Sequence, residues 1–361
     1  MKPTTPEKVA RLFEPLDHHL AIGSVLAGLT PGYLYADNPS KPTIALLAYK
    51  NHLVFAGEPQ NGDFNQALRN LILETIVPGY FDPDQGVFFI HTSSAAWHLH
   101  IDEILAGKYP ILRQRTYLEC TQLKEDWRQL LGTGFNLSPI SAALLSQSHL
   151  ENLDYLKEEL CSERPTIEDF LEKSFGFCVL KGEKLASWCL SEYNTADRCE
   201  VGVATVDDFQ RQGLATLTTL ALLEHAFAHG YKRIGWHCWN NNTPSVALAL
   251  RAGFSKVHDY SIHLCALDLA IQFALHGDDH RSLGAYQEAK RWYERAISLD
   301  TAPGWVFYNT ARCLALMGEN QQAIDYLHQA VQRGFDDLDR IHAEADLIPL
   351  HSHPAWGSLF P

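Results

Sequence analysis

The stretch Cys199-Glu-Val-Gly-Val-Ala-Thr-Val-Asp-Asp-Phe-Gln-Arg-Gln-Gly-Leu-Ala-Thr216 has the residue types and spacing best suited to chemistry. A run that reads as a strand leads through an acidic turn into Gln210-x-x-Gly213-x-Ala215, and a strongly helical segment follows at once. Small residues let backbone amides approach a bound anion, and the start of a helix adds a favourable field. A pyrophosphate is a suitable guest. A Rossmann site needs a different glycine pattern and an acidic residue closing its second strand. A lone glycine-rich turn is often merely structural, so the surrounding order has to carry the reading.

That order continues as Arg233-Ile-Gly-Trp-His-Cys-Trp239, Asn242-x-x-Ser245 and Arg251-Ala-Gly-Phe254. Taken with the preceding turn, it resembles the GCN5-related N-acetyltransferase (GNAT) superfamily. The resemblance implies a mixed sheet splayed between its fourth and fifth strands, with acetyl-CoA entering the opening as cosubstrate. It also implies that Gln210, Arg211, Gln212, Gly213, Leu214 and Ala215 form the pyrophosphate loop, with Val203 and Thr205 on the strand before it. Asn242 matches the polar position near the pantetheine arm, and Ser245 the small position opening the next helix. Leu12-Phe13, Leu20-Ala21-Ile22, Pro31-Gly32 and the run from Asp37 to Pro42 resemble a bacterial branch with an extra α/β segment in front.

Acetyl transfer to an amine needs a neutral nucleophile, a polarised thioester and a route for one proton. Glu200 is the candidate base, directly or through water; the plainer reading is a strand carboxylate in a salt bridge. The backbone amide at Val203 is the candidate for polarising the carbonyl. The superfamily's usual general-acid tyrosine falls at Ala249, which holds no proton to give. Tyr260, Tyr193, water or unassisted loss of the thiolate are the alternatives, with Tyr260 the side chain assigned. His237 is a second candidate base, and Trp236 and Trp239 line a cleft or simply pack. The pairs His276/His280, His98/His100 and His351/His353 each lack a third ligand, so no metal site is assigned.

The elements that must position these residues fall into three regions, giving an α/β fold class. Residues 1–133 alternate strand and helix patterns, as in Ile44 to Tyr49, Phe64 to Ile76 and Leu112 to Leu118, and read as an N-terminal α/β domain packed beside the next. Residues 134–268 read as the GNAT-like mixed-sheet domain, with a hairpin signal at Lys181-Gly182-Glu183-Lys184 and a helix from Gly213 to His229 ended by Gly230. Residues 269–361 repeat: Phe273, Gly284, Ala289, Tyr293 and Ala296 recur as Phe307, Gly318, Ala323, Leu327 and Ala330. This tail resembles paired tetratricopeptide helices forming a helical cap, with Gly277 and Asp278-Asp279 expected to interrupt its leading helix.

Composition narrows the function. Of 361 residues, 43 are Asp or Glu against 29 Lys or Arg, a formal charge of −14, which disfavours nucleic acid. No apolar run is long enough for a bilayer span, and the start carries no secretory pattern, so no membrane partner is expected. Eight scattered cysteines without a CxxC pair suit reduced thiols in the cytoplasm. The expected activity is acetyl-CoA-dependent N-acetylation of a small-molecule or peptide amine, with a protein partner conceivable on the helical tail. The rival is a noncatalytic acyl-CoA-binding sensor or interaction module, suggested by Ala249 and that tail.

Overall fold

The structure, a computed structural model, describes residues 1–60 and 63–359. Its strands are β1 (Lys2–Pro3), β2 (Tyr33–Ala36), β3 (Ile44–Tyr49), β4 (His52–Gly57), β5 (Val87–Thr92), β6 (Ile111–Cys120), β7 (Phe135–Pro139), β8 (Gly176–Lys181), β9 (Lys184–Glu192), β10 (Arg198–Thr205), β11 (Arg233–Trp239) and β12 (Ser255–Ala266). All belong to one mixed sheet, in the order β1-β2-β3-β4-β5-β12-β6-β11-β10-β9-β8-β7. β3 is buried along its whole length because both faces are covered: Ile44, Leu46 and Ala48 enter one apolar cluster, Ala45, Leu47 and Tyr49 another.

The sheet runs unbroken across position 133. β6, expected within a separate first unit, lies between β12 and β11, while β5 pairs with β12. The N-terminal strands thus extend the transferase-like sheet edge to edge instead of packing beside it. The hydrophobic pattern identifies a strand but not its neighbour, so sequence order misplaced this one. Gly235 on β11 permits the register, since a Cβ there would sit 3.2 Å from the Tyr117 ring.

β10 and β11 are parallel and pair only at Arg198–Arg233, Cys199–Ile234 and Glu200–Gly235. Beyond these residues β10 stays with β9 as far as Thr205, and β11 stays with β6 as far as Trp239. The two strands therefore part immediately after Glu200. The helix Leu214–Ala228 follows β10 and buries Leu220, Leu223 and Ala226 against Trp236, Cys238 and Phe254.

Near the N-terminus, Leu12-Phe13 and Leu20-Ala21-Ile22 do not share one helix: the first lies in a tight 3₁₀ segment, Ala10–Leu16, and the second in a separate α-helix, Leu20–Leu26. Pro15 lacks the amide that a continuous α-helix would use. In the tail, helices Leu269–Ser282, Tyr286–Ile297, Gly304–Leu316 and Asn320–Gln332 pack as two successive pairs, with Ala289 and Ala323 fully buried. Gly277 does not interrupt the first helix. It makes room for Tyr293, whose ring would lie 2.5 Å from a Cβ at 277 and whose hydroxyl donates to Asp278 Oδ1 at 2.6 Å. Arg113 of β6 pairs with Asp279 at 2.6 Å, tying the tail to the sheet.

Candidate active site

Where β10 and β11 part, Glu200 stands opposite Gly235, two residues before His237 on the same face of β11. Glu200 Oε1 accepts from the Leu20 amide at 2.6 Å and lies 3.3 Å from His237 Nε2; the two side chains are about a tenth exposed. His237 Nε2 also lies 3.1 Å from the His18 carbonyl, which can only accept, so that nitrogen carries a hydrogen. In the neutral ring Nδ1 then accepts from the Tyr260 hydroxyl, 2.9 Å away. The result is a line of polar groups, Glu200–His237–Tyr260, in which the hydroxyl is hydrogen-bonded to the imidazole and the carboxylate lies 3.3 Å from its far nitrogen, placed to hold a proton and to hand one on. Burial pushes the Tyr260 hydroxyl above its ordinary pKa, keeping it protonated.

These three residues line a cavity of about 190 Å³ together with His19, His91 and Arg115. The sequence reading missed that second set. It comes from the first 133 residues, brought over by β5, by β6 and by the turn before Leu20. Glu192 and Tyr193 complete one wall, and Tyr49 joins this cavity to a larger one of about 590 Å³. His52 Nδ1 and His91 Nε2 are 3.0 Å apart. Burial, followed by the charges of Arg115 and Lys50, pushes His52 down to about 3; burial also holds His19 and His91 well below the ordinary histidine range. They are neutral imidazoles at ordinary pH. In the sequence their one visible sign is the adjacent pair His18-His19 before Leu20.

The loop residues lie on the other side of the parting. Arg211 has φ +58° and Gly213 φ +81°, and Gly213 caps the helix that starts at Leu214. The first bond of that helix runs from Leu217 N to Gly213 O, which leaves the amides of Leu214, Ala215 and Thr216 facing outward at the helix start. A Cβ built on Gly213 meets nothing within 4 Å. Amides without intrahelical partners at a helix N-terminus fit a phosphate group. Gln210 Nε2 donates to Asp207 Oδ1, and Gln212 Nε2 to the Asp208 carbonyl, fixing the turn from within.

The remaining sequence candidates occupy definite places. Val203 pairs with Cys189 and Thr205 with Ser187, and the Thr205 and Ser187 hydroxyls are 2.8 Å apart. Asn242 caps the next helix by accepting from the Ser245 amide at 3.1 Å, and Ser245 Oγ accepts from Trp236 Nε1. Trp236 is therefore a packing residue against Phe254, whereas Trp239 carries the Arg115 guanidinium 5.2 Å from its ring centre. Ala249 is fully buried in the core. Tyr193 lines the cavity beside Glu192. Among the described residues no group of three or more His, Cys, Asp or Glu could hold a metal ion, and no helix is long and apolar enough to cross a membrane.

Comparison with known proteins bears on the fold and the family. The chain is 27% identical over 245 residues to the Uncharacterized N-acetyltransferase YdfB of Bacillus subtilis (strain 168), covering 66% of this chain and 88% of that one. Its fold resembles the crystal structure of a GCN5-related N-acetyltransferase-like protein from Streptococcus suis 89/1591, with TM-score 0.55 and 21% identity, over 72% of this chain and 98% of the other. The family of GNAT acetyltransferases matches residues 10–263, a span that takes in the first-region strands, β6 and the parted pair alike. A match of that extent crosses the expected boundary at 133 as the sheet does, and this chain belongs to the GNAT acetyltransferase family.

Proposed function

We propose that the protein transfers the acetyl group of acetyl-CoA to the amine of a small molecule or peptide. The observation carrying this reading is that Glu200, buried and linked to His237, stands where β10 and β11 part, with the helix-start amides after Gly213 beyond it. Acetyl-CoA supplies an activated thioester whose pyrophosphate suits those amides. Within the chain, Glu200 takes the proton that the amine must lose, and His237 and Tyr260 hold the carboxylate in place and extend the proton's path. The backbone of β10 beyond Glu200 has no partner strand on the β11 side, which leaves main-chain donors near Val203 for a carbonyl oxygen. The balance is simple: a C–N bond forms, a C–S bond breaks, one proton leaves nitrogen and one ends on sulfur. Asn242 and Ser245 flank the opening as further cofactor contacts.

The test is amine-dependent release of free CoA across a broad panel of amines. Release that saturates with amine supports the reading. Saturable acetyl-CoA binding with no release on any amine sinks it in favour of a noncatalytic acyl-CoA sensor, the reading that Ala249 in the core would then explain.

A further inference from the structure

The 190 Å³ cavity has two walls of opposite charge. On one, Glu192 and Glu200 are direct cross-strand partners in the β9–β10 ladder, so that two carboxylates line the same side of the cavity. On the other stands Arg115, from the middle of β6. Among the described residues no carboxylate pairs with its guanidinium, its Nε is buried without a hydrogen bond, and the guanidinium lies 5.2 Å from the centre of the Trp239 ring. Arg113 and Arg198, in the same sheet, each have a carboxylate, at 2.6 and 2.8 Å. A half-buried guanidinium left without an anion costs stability unless something else neutralises it.

Between the walls are imidazoles kept neutral by burial. His19 is 7% exposed and His91 3%, and His19 Nε2 and His91 Nδ1 are both buried without a hydrogen-bond partner. Buried polar atoms are normally satisfied, so three orphans around one small polar cavity point to a polar guest. The volume limits that guest to a compact molecule.

We infer that the acceptor is a small aminocarboxylate, such as a free amino acid: its ammonium group sits between Glu192 and Glu200, and its carboxylate is held by Arg115 with His19 and His91. This assignment rests on the acetyl-transfer reading for its chemistry but on Arg115 and the orphaned imidazoles for its specificity. Glu200 receives the ammonium proton, after which the neutral amine is already oriented by the charge at its other end.

The experiment compares matched acceptors, free L-amino acids against their amides and their decarboxylated amines, on wild-type protein and on Arg115→Gln and Arg115→Lys. CoA release and calorimetric binding are both measured. The expected result is a kcat/KM for the carboxylate member higher by on the order of 10²-fold, lost in Arg115→Gln, partly kept in Arg115→Lys, and unaffected for the decarboxylated amine. Equal kcat/KM within each pair, or an Arg115→Gln effect equal on both members, overturns the inference while leaving acetyl transfer standing. If no amine releases CoA, the acetyl-transfer reading fails, and calorimetry alone decides the aminocarboxylate: binding to wild type that Arg115→Gln abolishes supports it, and no binding overturns it. Should Arg115→Gln not fold, Arg115→Lys takes its place, because a lone ammonium keeps the charge but loses the bidentate fork and so weakens carboxylate binding.

Discussion

The backbone amide of Leu20 donates to Glu200 Oε1 at 2.6 Å, a contact between residues 180 positions apart that places the candidate base under the N-terminal helix. Glutamine at 200 keeps that acceptor and the side chain's reach but cannot take up a proton. Glu200→Gln is expected to lower turnover by on the order of 10²-fold with thioester affinity unchanged. The check is a pH–rate profile together with a binding isotherm. Wild-type turnover throughout the profile would remove Glu200 from the mechanism and leave the family assignment untouched.

Gly202 holds Glu192 in position. A Cβ at 202 would collide with Glu192 Oε1, and because that atom is the tip of a flexible side chain, the carboxylate moves rather than the strand. Gly202→Ala is therefore expected to shift Tm by no more than about 3 °C while raising KM for the amine and sparing KM for the thioester. Melting curves and two-substrate kinetics separate the effects; an unchanged amine KM would mean that Glu192 does not face the acceptor.

At Gly213 the constraint is conformational. Its φ of +81° is costly for any side chain, by about 1–2 kcal/mol, although the space around it is open. Gly213→Val should lower stability modestly and weaken acetyl-CoA binding at least about tenfold, a change of about 1.4 kcal/mol. Titration of the folded variant with acetyl-CoA provides the measurement. Wild-type affinity there would move the cofactor away from this loop.

The buried imidazoles make stability depend on acidity. Burial drives His18 and His52 down to about 3 from an ordinary 6.5, and His19 and His91 well below it. The unfolded chain therefore binds more protons than the folded one as pH falls from 6.5 towards 3, and the fold loses stability across that window. Each such histidine contributes a slope of up to about 1.4 kcal/mol per pH unit. Tm measured between pH 7.5 and 5 should fall steadily, and less steeply in His52→Gln. Parallel curves for variant and wild type would show that His52 is not held neutral.

Much of the transferase half was legible because its signals are local. The Gln210 to Ala215 turn, the long helix after it and the Lys181–Lys184 hairpin depend on residues close in sequence, and Glu200 stood out by its place on the strand before the turn. The rest of the cavity wall was illegible for the opposite reason. His91, Arg115 and Glu192 belong to strands whose neighbours are set by long-range pairing, and a lone histidine or arginine in a strand carries no sign of what it will face. Ala249 shows the same limit: its absence of a hydroxyl could be read, but not the Tyr260–His237 contact in the same site. Gly277 was misread because a helix breaker by propensity becomes a packing notch when Tyr293 lies across it.

The position of β6 also governs the order in which the molecule can be built. Its two partners are β11 and β12, so Tyr117, Leu118 and Cys120, buried in the finished protein, leave the ribosome with nothing to pair against. At about 5–20 residues per second, synthesis keeps that strand waiting for seconds. Only the arrival of Ser255–Ala266 joins β5 on one side to β6 on the other. A nascent chain halted before that segment holds two incomplete sheets with open edges, the species that holdase chaperones bind and that aggregates when they are scarce. β12 is thus the keystone of biosynthesis, and a truncation that spares every residue of the cavity except Tyr260 would still leave the protein without a way to close.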